Sequence, residues 1–485
     1  MKNLNLDRLF NPRHVAMIGA SDVPGKWGFS LLFNILQGNY DGKCCAVNPK
    51  KDIILSVPSY PSIIDAPDTV DVAIITTPAH TVPEIIEQCG RKGVPNVIVV
   101  SSGFSEAGAE GASMERELVS RAERYGMRIV GPNTMGIFSA RSRFHAMMPS
   151  IEPLHGGASM FAQSGNVGTQ MAMRGIEEGL GFEKFVSSGN EGDLTCVDYI
   201  RYFGRDKATH VIMGYLEGVD SGSEFISAAA EISREKPIII LKGGRTGSGM
   251  KAAASHTGAL AGSLDIYEAV FRKTGIVHVA TTNGVIDCAK AFSEFPLPRG
   301  KRVAILTRGG GWGVITSDCC EEIGLEVPPL SDDIMKKMNK ILPSYWSRGN
   351  PIDLAGITGF DPFLECLEIV AHWDGADAVI GLGGRTGTFF RLNEKEDFLE
   401  RIQIDRVGFE KMEGEARAQE KRMSSLARHL IKETGKPIMF VDLASKEDQL
   451  KSIEELRAIS YANPERAVRA LKWMYDYKMH LESLP

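Results

Sequence analysis

Short apolar runs alternate with helix-period stretches along most of the chain. In the first 150 residues the runs are His14–Gly19, Cys44–Val47, Val72–Ile75, Asn96–Val100 and Arg128–Val130, each ending in a polar or glycine-rich turn. Between them, Pro83–Lys92 and Met114–Tyr125 carry a helical pattern. β-Branched runs separated by helices predict a parallel sheet with helices on both faces. A second unit of the same kind spans about 158 to 295, with strands expected at Ser159–Ala162, Phe182–Val186, Val211–Tyr215 and Ile238–Leu241. The segment Pro296-Leu297-Pro298-Arg299-Gly300-Lys301 has linker composition. A third unit follows, with strands expected at Arg302–Thr307, Ala378–Leu382 and Pro437–Val441. The stretch 393–434 is long, charged and helix-prone, which predicts a solvated helix or helical hairpin. We therefore divide the chain into 1–148, 149–297 and 298–485, in line with a length of 485 residues at about 150 residues per domain.

Composition narrows the class. The 43% apolar and 24% charged content is that of a globular protein with sizeable cores. A net charge of -6, with cations scattered rather than blocked, argues against a nucleic-acid partner. No apolar run approaches the ~20 residues that cross a bilayer, and the first residues carry no apolar leader. The eight Cys have no metal-ligand spacing, so reduced buried thiols, no metal site and a cytoplasmic location are expected.

Candidate chemistry centres on one histidine. His256 stands in a run from Gly243 to Gly262 built mainly of Gly, Ala, Ser and Thr, with Lys242, Arg245 and Lys251 around it. The sequence reads as a loop able to approach an anion closely and to move. A neutral imidazole attacks phosphorus near pH 7, so His256 is the candidate carrier of a phosphoryl group; a surface or core histidine is the alternative. Two strand–helix turns look like phosphate cradles: Ser164, Gly165 and Asn166 in the second unit, and Gly309, Gly310 and Gly311 in the third. Each would aim free N–H groups and a positive helix end at an anion. Together they suggest opposed helix ends around one phosphohistidine. Glu217 ends the strand beginning at Val211, where a carboxylate could take the proton of one imidazole nitrogen and leave the other free to attack.

The first strand–helix turn carries Gly19, Ser21, Gly25, Trp27 and Gly28, a longer loop than the dinucleotide fingerprint. The second strand ends in Asn48-Pro49-Lys50-Lys51, where a nicotinamide site would favour an acid. Lysines there suit a ligand with an extra phosphate, such as coenzyme A. Pro78, Ser102, Gly103 and Asn133 follow later strands of the same unit, at the edge where ligands bind in open parallel sheets.

With those residues in place, the chain resembles the α subunit of NDP-forming acyl-CoA synthetases, the ADP-forming acetate–CoA ligases related to succinyl-CoA synthetase. The resemblance rests on Ala253-Ala254-Ser255-His256-Thr257-Gly258-Ala259-Leu260-Ala261-Gly262, on Tyr215-Leu216-Glu217-Gly218, on Gln163-Ser164-Gly165, on Gly131-Pro132-Asn133, on Val47-Asn48-Pro49-Lys50, on Gly349-Asn350-Pro351-Ile352-Asp353 and on Asn463-Pro464-Glu465-Arg466-Ala467. It implies an α/β chain with a Rossmann-like CoA-binding domain followed by two flavodoxin-like ligase domains. It also implies an acyl phosphate formed from acyl-CoA and phosphate, a phosphohistidine at His256 contacted by Glu217, and transfer to ADP. The ATP-grasp domain that would hold ATP or ADP with Mg2+ has no counterpart stretch here, so the resemblance implies a separate β subunit in a heterotetramer. The chain departs from the family's pattern at Arg308, Gly309 and Trp312, where Asn, Ala and Pro are usual, at the acidic Glu191, and at Gly383-Gly384-Arg385-Thr386-Gly387. Acetate, a branched acid, an aryl acid and a dicarboxylic acid all fit as the acyl group. Two other classes stand beside this reading: a CoA-binding regulatory or scaffold protein with an unused histidine, and an NAD-dependent dehydrogenase.

Overall fold

The computed structural model describes residues 6–257, 263–354, 356–357, 360–383, 406–441 and 460–484. The chain forms two compact units, Met1–Ile176 with Leu180–Ala289, and Glu177–Gly179 with Lys290–Pro485. The first unit holds two sheets.

The first sheet uses β1 His14–Ile18, β2 Lys43–Val47, β3 Ile53–Ile54, β4 Val57–Tyr60, β5 Val72–Ile75, β6 Asn96–Val99 and β7 Arg128–Val130. Its order is β3-β4-β2-β1-β5-β6-β7, parallel except for the β3–β4 pair. Setting aside β3, this is the doubly wound 3-2-1-4-5-6 order. The period of two explains why the central strands β1 and β5 are apolar at successive positions. Val15, Met17, Val72 and Ile74 enter one core, while Ala16, Ile18, Ala73 and Ile75 enter another. Both faces are covered, so every position favours an apolar side chain.

The second sheet uses β8 Gly136–Ser139, β9 Phe144–Met147, β10 His155–Ala162, β11 Phe182–Ser187, β12 Val211–Leu216, β13 Ile238–Lys242 and β14 Val277–His278. Its order is β14-β13-β12-β10-β11-β8-β9. The five strands from β10 to β14 are parallel in the flavodoxin-like order 2-1-3-4-5, and the antiparallel β8–β9 hairpin extends the β11 edge. That hairpin precedes residue 148 yet belongs to the second sheet. The charged pair inside β11 is compensated: Lys184 is buried against Asp206 at 2.6 Å and Glu183 at 3.2 Å.

The other unit holds β15 Val303–Thr307, β16 Ile352–Asp353, β17 Ala378–Leu382, β18 Ile438–Val441 and β19 Ser460–Tyr461. All pairs are parallel in the order β16-β15-β17-β18-β19, again 2-1-3-4-5. Asn350 knits its front edge, donating to the carbonyls of Val303 at 2.9 Å and Pro328 at 3.1 Å and accepting from Ile305 N–H at 2.9 Å.

Several expectations shift. The helix expected from Met114 starts earlier, at Ala109, and runs to Arg124. Of the charged stretch, a helix is described over Arg406–Thr434, and 393–405 lies outside the described residues. The segment read as a loop around His256 begins with a helix over Gly247–Thr257. Its Met250-Lys251-Ala252-Ala253-Ala254 run has high helix propensity, which outweighs the flanking Gly and Ser.

Candidate active site

The turn after β1 is shaped by close approach. Gly19 sits at φ +84°, and its N–H donates to the carbonyl of Val47 at 3.1 Å. A Cβ on Gly28, in the first turn of the helix Trp27–Gln37, would lie 2.1 Å from the carbonyl oxygen of Gly19. Only glycine lets the helix start pack onto the turn there. Ser21 accepts from the N–H of Val23 at 3.1 Å, and Gly25 turns at φ +87° in open space. Asn48 closes the neighbouring loop, donating to Ala20 O at 2.9 Å and accepting from Lys50 N at 2.9 Å. Lys50 and Trp27 are exposed at this rim.

The remaining predicted residues of this group share the same sheet edge. Thr76 N–H bonds Ile18 O at 3.0 Å, across the switch point between β1 and β5. Pro78 precedes a short 3-10 turn, Ser102 is exposed after β6, and Gly103 at φ +107° donates to Glu106 at 2.6 Å. Burial would raise the Glu106 pKa, but the Asn190 amide and the N–H groups of Gly103 and Phe104 outweigh it and hold the carboxyl below its usual range. Asn133, at φ +60°, donates to Asn190 at 3.2 Å. Asn190 in turn donates to Glu106 at 2.6 Å and Glu115 at 2.9 Å, so the loop after β11 is stitched to the edge of the first sheet.

The second sheet gathers the acid and a glycine turn at its own switch point, between the ends of β10 and β12. Ser164 and Gly165 open the helix Gly165–Glu177, with Asn166 exposed in its first turn. A Cβ on Gly165 would meet Met135 Cγ at 2.3 Å, so glycine is needed for packing as well as for access. The first N–H groups of such a helix have no partner inside it. Glu217 follows β12 and is 7% exposed. Its peptide is gripped on both sides. Gln163 Oε1 accepts from Glu217 N–H at 2.5 Å and Gly218 N–H at 3.0 Å, and Gln163 Nε2 donates to Gly218 O at 2.9 Å. Lys242 Nζ donates to Glu217 O at 2.8 Å and also to the carbonyl of Gly243. Burial lowers the Lys242 pKa, and the Glu217 carboxylate opposes that. Burial pushes the neighbouring Tyr215 phenol up to about 12, with the Glu217 charge adding to it.

His256 lies near the end of the helix Gly247–Thr257, which follows directly from β13. Its side chain, and the rest of the motif from Gly258 to Gly262, lie outside the described residues.

In the other unit, Gly309 caps the helix Gly310–Glu322. Thr307 Oγ1 accepts from Gly309 N–H at 3.1 Å and donates to Gly309 O at 2.9 Å, fixing the turn. Gly310 and Gly311 are exposed, and nothing stands within 4 Å of a Cβ on Gly311. Asp353 Oδ2 lies 3.1 Å from where a Gly310 Cβ would be, so an acid borders this turn. Arg308 stacks over Phe360 and Phe363, 5.5 Å from each ring, and burial lowers its pKa. Gly384 to Gly387 lie outside the described residues.

The sequence reasoning passed over Gln163 and Lys242 as site residues. A signal existed for Lys242: a charged residue closing the apolar run Ile238-Ile239-Ile240-Leu241 needs a buried partner. Gln163 stood in the motif Gln163-Ser164-Gly165, but its own role was not legible there, because it holds a backbone 54 positions away.

Comparison with known proteins follows the same division. Residues 13–140 match a CoA binding domain, 155–292 a succinyl-CoA ligase like flavodoxin domain, and 303–366 a ligase-CoA domain. The chain is 40% identical over 358 residues to the α subunit of acetate–CoA ligase (ADP-forming) I of Pyrococcus furiosus, covering 73% of this chain and 77% of that one. It is 38% identical to acetate–CoA ligase (ADP-forming) I of Archaeoglobus fulgidus over 77% of this chain, and spans only 54% of that relative's length. The dinucleotide-forming acetyl-coenzyme A synthetase 1 of Ca. Korarchaeum cryptofilum, solved with phosphate and ADP, superposes with a TM-score of 0.84 at 34% identity, over 99% of this chain and 98% of that one. The chain therefore belongs to the NDP-forming acyl-CoA synthetase family of the succinyl-CoA synthetase superfamily, and corresponds to the region its α subunits carry.

Proposed function

We propose that this chain is the α part of an ADP-forming acyl-CoA synthetase, with His256 as phosphoryl carrier and Glu217 as its orienting acid. The observation that carries the reading is the Glu217 peptide, fixed by Gln163 and Lys242 beside the Ser164–Gly165 turn, on the sheet whose last long strand leads into the His256 helix.

Coenzyme A would bind at the rim of the first sheet. The Gly19–Gly28 contact brings backbone close to a pyrophosphate, and Lys50 stands free to meet a further phosphate. A phosphate oxygen attacks the thioester carbonyl, the C–S bond breaks, and CoA leaves as the thiol. The free imidazole nitrogen of His256 then attacks phosphorus, and the carboxylate departs with the bridging oxygen. Glu217 takes the hydrogen bond of the other ring nitrogen and stabilises the positive ring as the P–N bond forms. Ser164, Gly165 and Asn166 present N–H groups to the phosphoryl oxygens, and the Gly309–Gly311 turn is a second candidate cradle.

Transfer from His256 to ADP requires an ATP-grasp domain, which we place on a separate β subunit in a heterotetramer. Among the described residues no three His, Cys, Asp or Glu side chains converge as metal ligands would. The Mg2+ of this proposal comes with the nucleotide on the partner. No helix among the described residues is long and apolar enough to cross a membrane, and we place the reaction in the cytoplasm.

The test is acid-labile labelling of the full chain by [32P]phosphate with acetyl-, isovaleryl-, aryl- or succinyl-CoA. One of these labels the wild-type chain and none labels His256→Asn. CoA binding without any acid-labile label would favour the scaffold reading instead.

A further inference from the structure

We infer that Asp22 is an internal competitor for the phosphate of the bound ligand: its carboxylate occupies Lys51 while the first-sheet site is empty and yields it when coenzyme A arrives. This rests on the coenzyme A site proposed above, and it names a residue that sets how tightly that site holds its ligand.

The two residues stand on neighbouring turns. Asp22 lies between β1 and the helix Trp27–Gln37, and Lys51 between β2 and β3. β1 and β2 pair in parallel, so both turns leave the same sheet edge. Each turn is fixed by bonds of its own. In the first, Ser21 Oγ accepts from Val23 N–H at 3.1 Å, and the N–H of Lys26 donates to Val23 O at 3.3 Å. In the second, the N–H of Asn48 donates to Tyr60 O at 2.9 Å, and that of Ser59 donates to Asp52 O at 2.8 Å. Across the gap Lys51 Nζ donates to Asp22 Oδ2. Both side chains stay partly open to solvent. This bond is the leading cause that holds the Asp22 carboxyl below its usual range.

The exchange follows from charge. A lysine ammonium is a compact cation with three donors, and it binds a phosphate as a point charge. Lys50 is exposed and ready for the 3′-phosphate of coenzyme A, whereas Lys51 already holds a carboxylate. A phosphate monoester carries about −1.5 to −2 charge at pH 7 and three acceptor oxygens, so it displaces the single charge of Asp22. An ion pair this exposed is weak and breaks readily. Once displaced, Asp22 stands beside a more highly charged anion without its cation. Both effects subtract from ligand affinity, and both vanish for a ligand that lacks the phosphate. In the reaction proposed above CoA leaves as a product, and the carboxylate returning to Lys51 favours that step.

The experiment is calorimetric binding to the full chain, at low salt, of CoA and of dephospho-CoA, which lacks only the 3′-phosphate. Asp22→Asn keeps the shape of the side chain and removes its charge. It binds CoA roughly three- to tenfold more tightly than the wild type, and its affinity for dephospho-CoA stays within about 1.5-fold. Lys51→Met weakens CoA binding. Placed on Lys51→Met, the Asp22→Asn change gives at most about a twofold gain, because no lysine is left to contest and only repulsion between like charges is relieved. An unchanged CoA affinity in Asp22→Asn, an equal gain with dephospho-CoA, or an equal gain on Lys51→Met would each overturn the inference and leave the coenzyme A site standing. A wild-type chain that binds neither ligand would overturn the functional reading of the first sheet, and this inference with it.

Discussion

Lys242 Nζ and the carbonyl oxygen of Glu217 are 2.8 Å apart, and this bond ties the root of the His256 segment to the strand end that bears the acid. Lys242 closes β13 and is 1% exposed, and its ammonium lies 4.7 Å from the Tyr267 ring centroid. A buried cation persists where carbonyls and a ring face replace water. The bond to Gly243 O fixes the first peptide of the segment that leads to His256.

Lys242→Met leaves the carbonyls of Glu217 and Gly243 without this donor in a buried place. Each lost partner costs about 1–3 kcal/mol, so urea unfolding should show a destabilisation of about 2–6 kcal/mol. His256 labelling should slow at least tenfold beyond what the folded fraction explains. CoA affinity, set at the other sheet, should stay within twofold.

Gly28 gives a prediction confined to the first sheet. A methyl at this position would sit 2.1 Å from Gly19 O and 3.2 Å from Ala20 Cα, both backbone. The helix start must move away from the turn, at a cost of about 1–3 kcal/mol as in other overpacked sites. Gly28→Ala should therefore weaken CoA binding at least tenfold by calorimetry. Gly25→Ala meets open space but a φ of +87°, so it should cost about 1–2 kcal/mol through backbone strain alone and weaken binding less.

The sequence made the long strands legible because both faces are buried. Val15-Ala16-Met17-Ile18 can only be apolar when alternate residues enter two cores. Glu217 and the Ser164–Gly165 turn were legible for a related reason: a polar residue or a glycine at the end of such a run lies at a ligand-binding edge. The two-residue strands β3, β14, β16 and β19 carry too few positions to show a period. The β8–β9 hairpin was missed because its partner is β11, more than forty residues on, and pairing partners leave no local pattern. The clamp on Glu217 was illegible for the same cause. Gln163 and Lys242 act on backbone atoms brought together only by the order of the strands.

Arg308 immediately precedes the Gly309–Gly311 turn of the second unit. Its guanidinium stacks 5.5 Å from both Phe360 and Phe363, a geometry worth about 1–2 kcal/mol when partly desolvated. Arg308→Asn should lower the unfolding free energy by about that amount. If the Gly309–Gly311 turn receives phosphate, loss of the adjacent charge should also raise KM for phosphate by threefold or more and leave KM for CoA unchanged.

The Glu191 carboxyl makes stability depend on pH in a direction opposite to most acids. Its folded pKa, raised to about 7 chiefly by burial, exceeds its ordinary 4.5. Between those values the folded chain holds a proton that the unfolded chain has released, so folding stability falls as pH rises through this window and is level above it. Glu191→Gln removes the titration. The variant should match the wild type near pH 4 and become the more stable of the two toward pH 8, by about 1–3 kcal/mol. Urea midpoints at pH 4, 6 and 8 measure the difference. A gap that stays constant across the three, or that closes as pH rises, would show that burial does not raise this carboxyl's pKa in the folded chain.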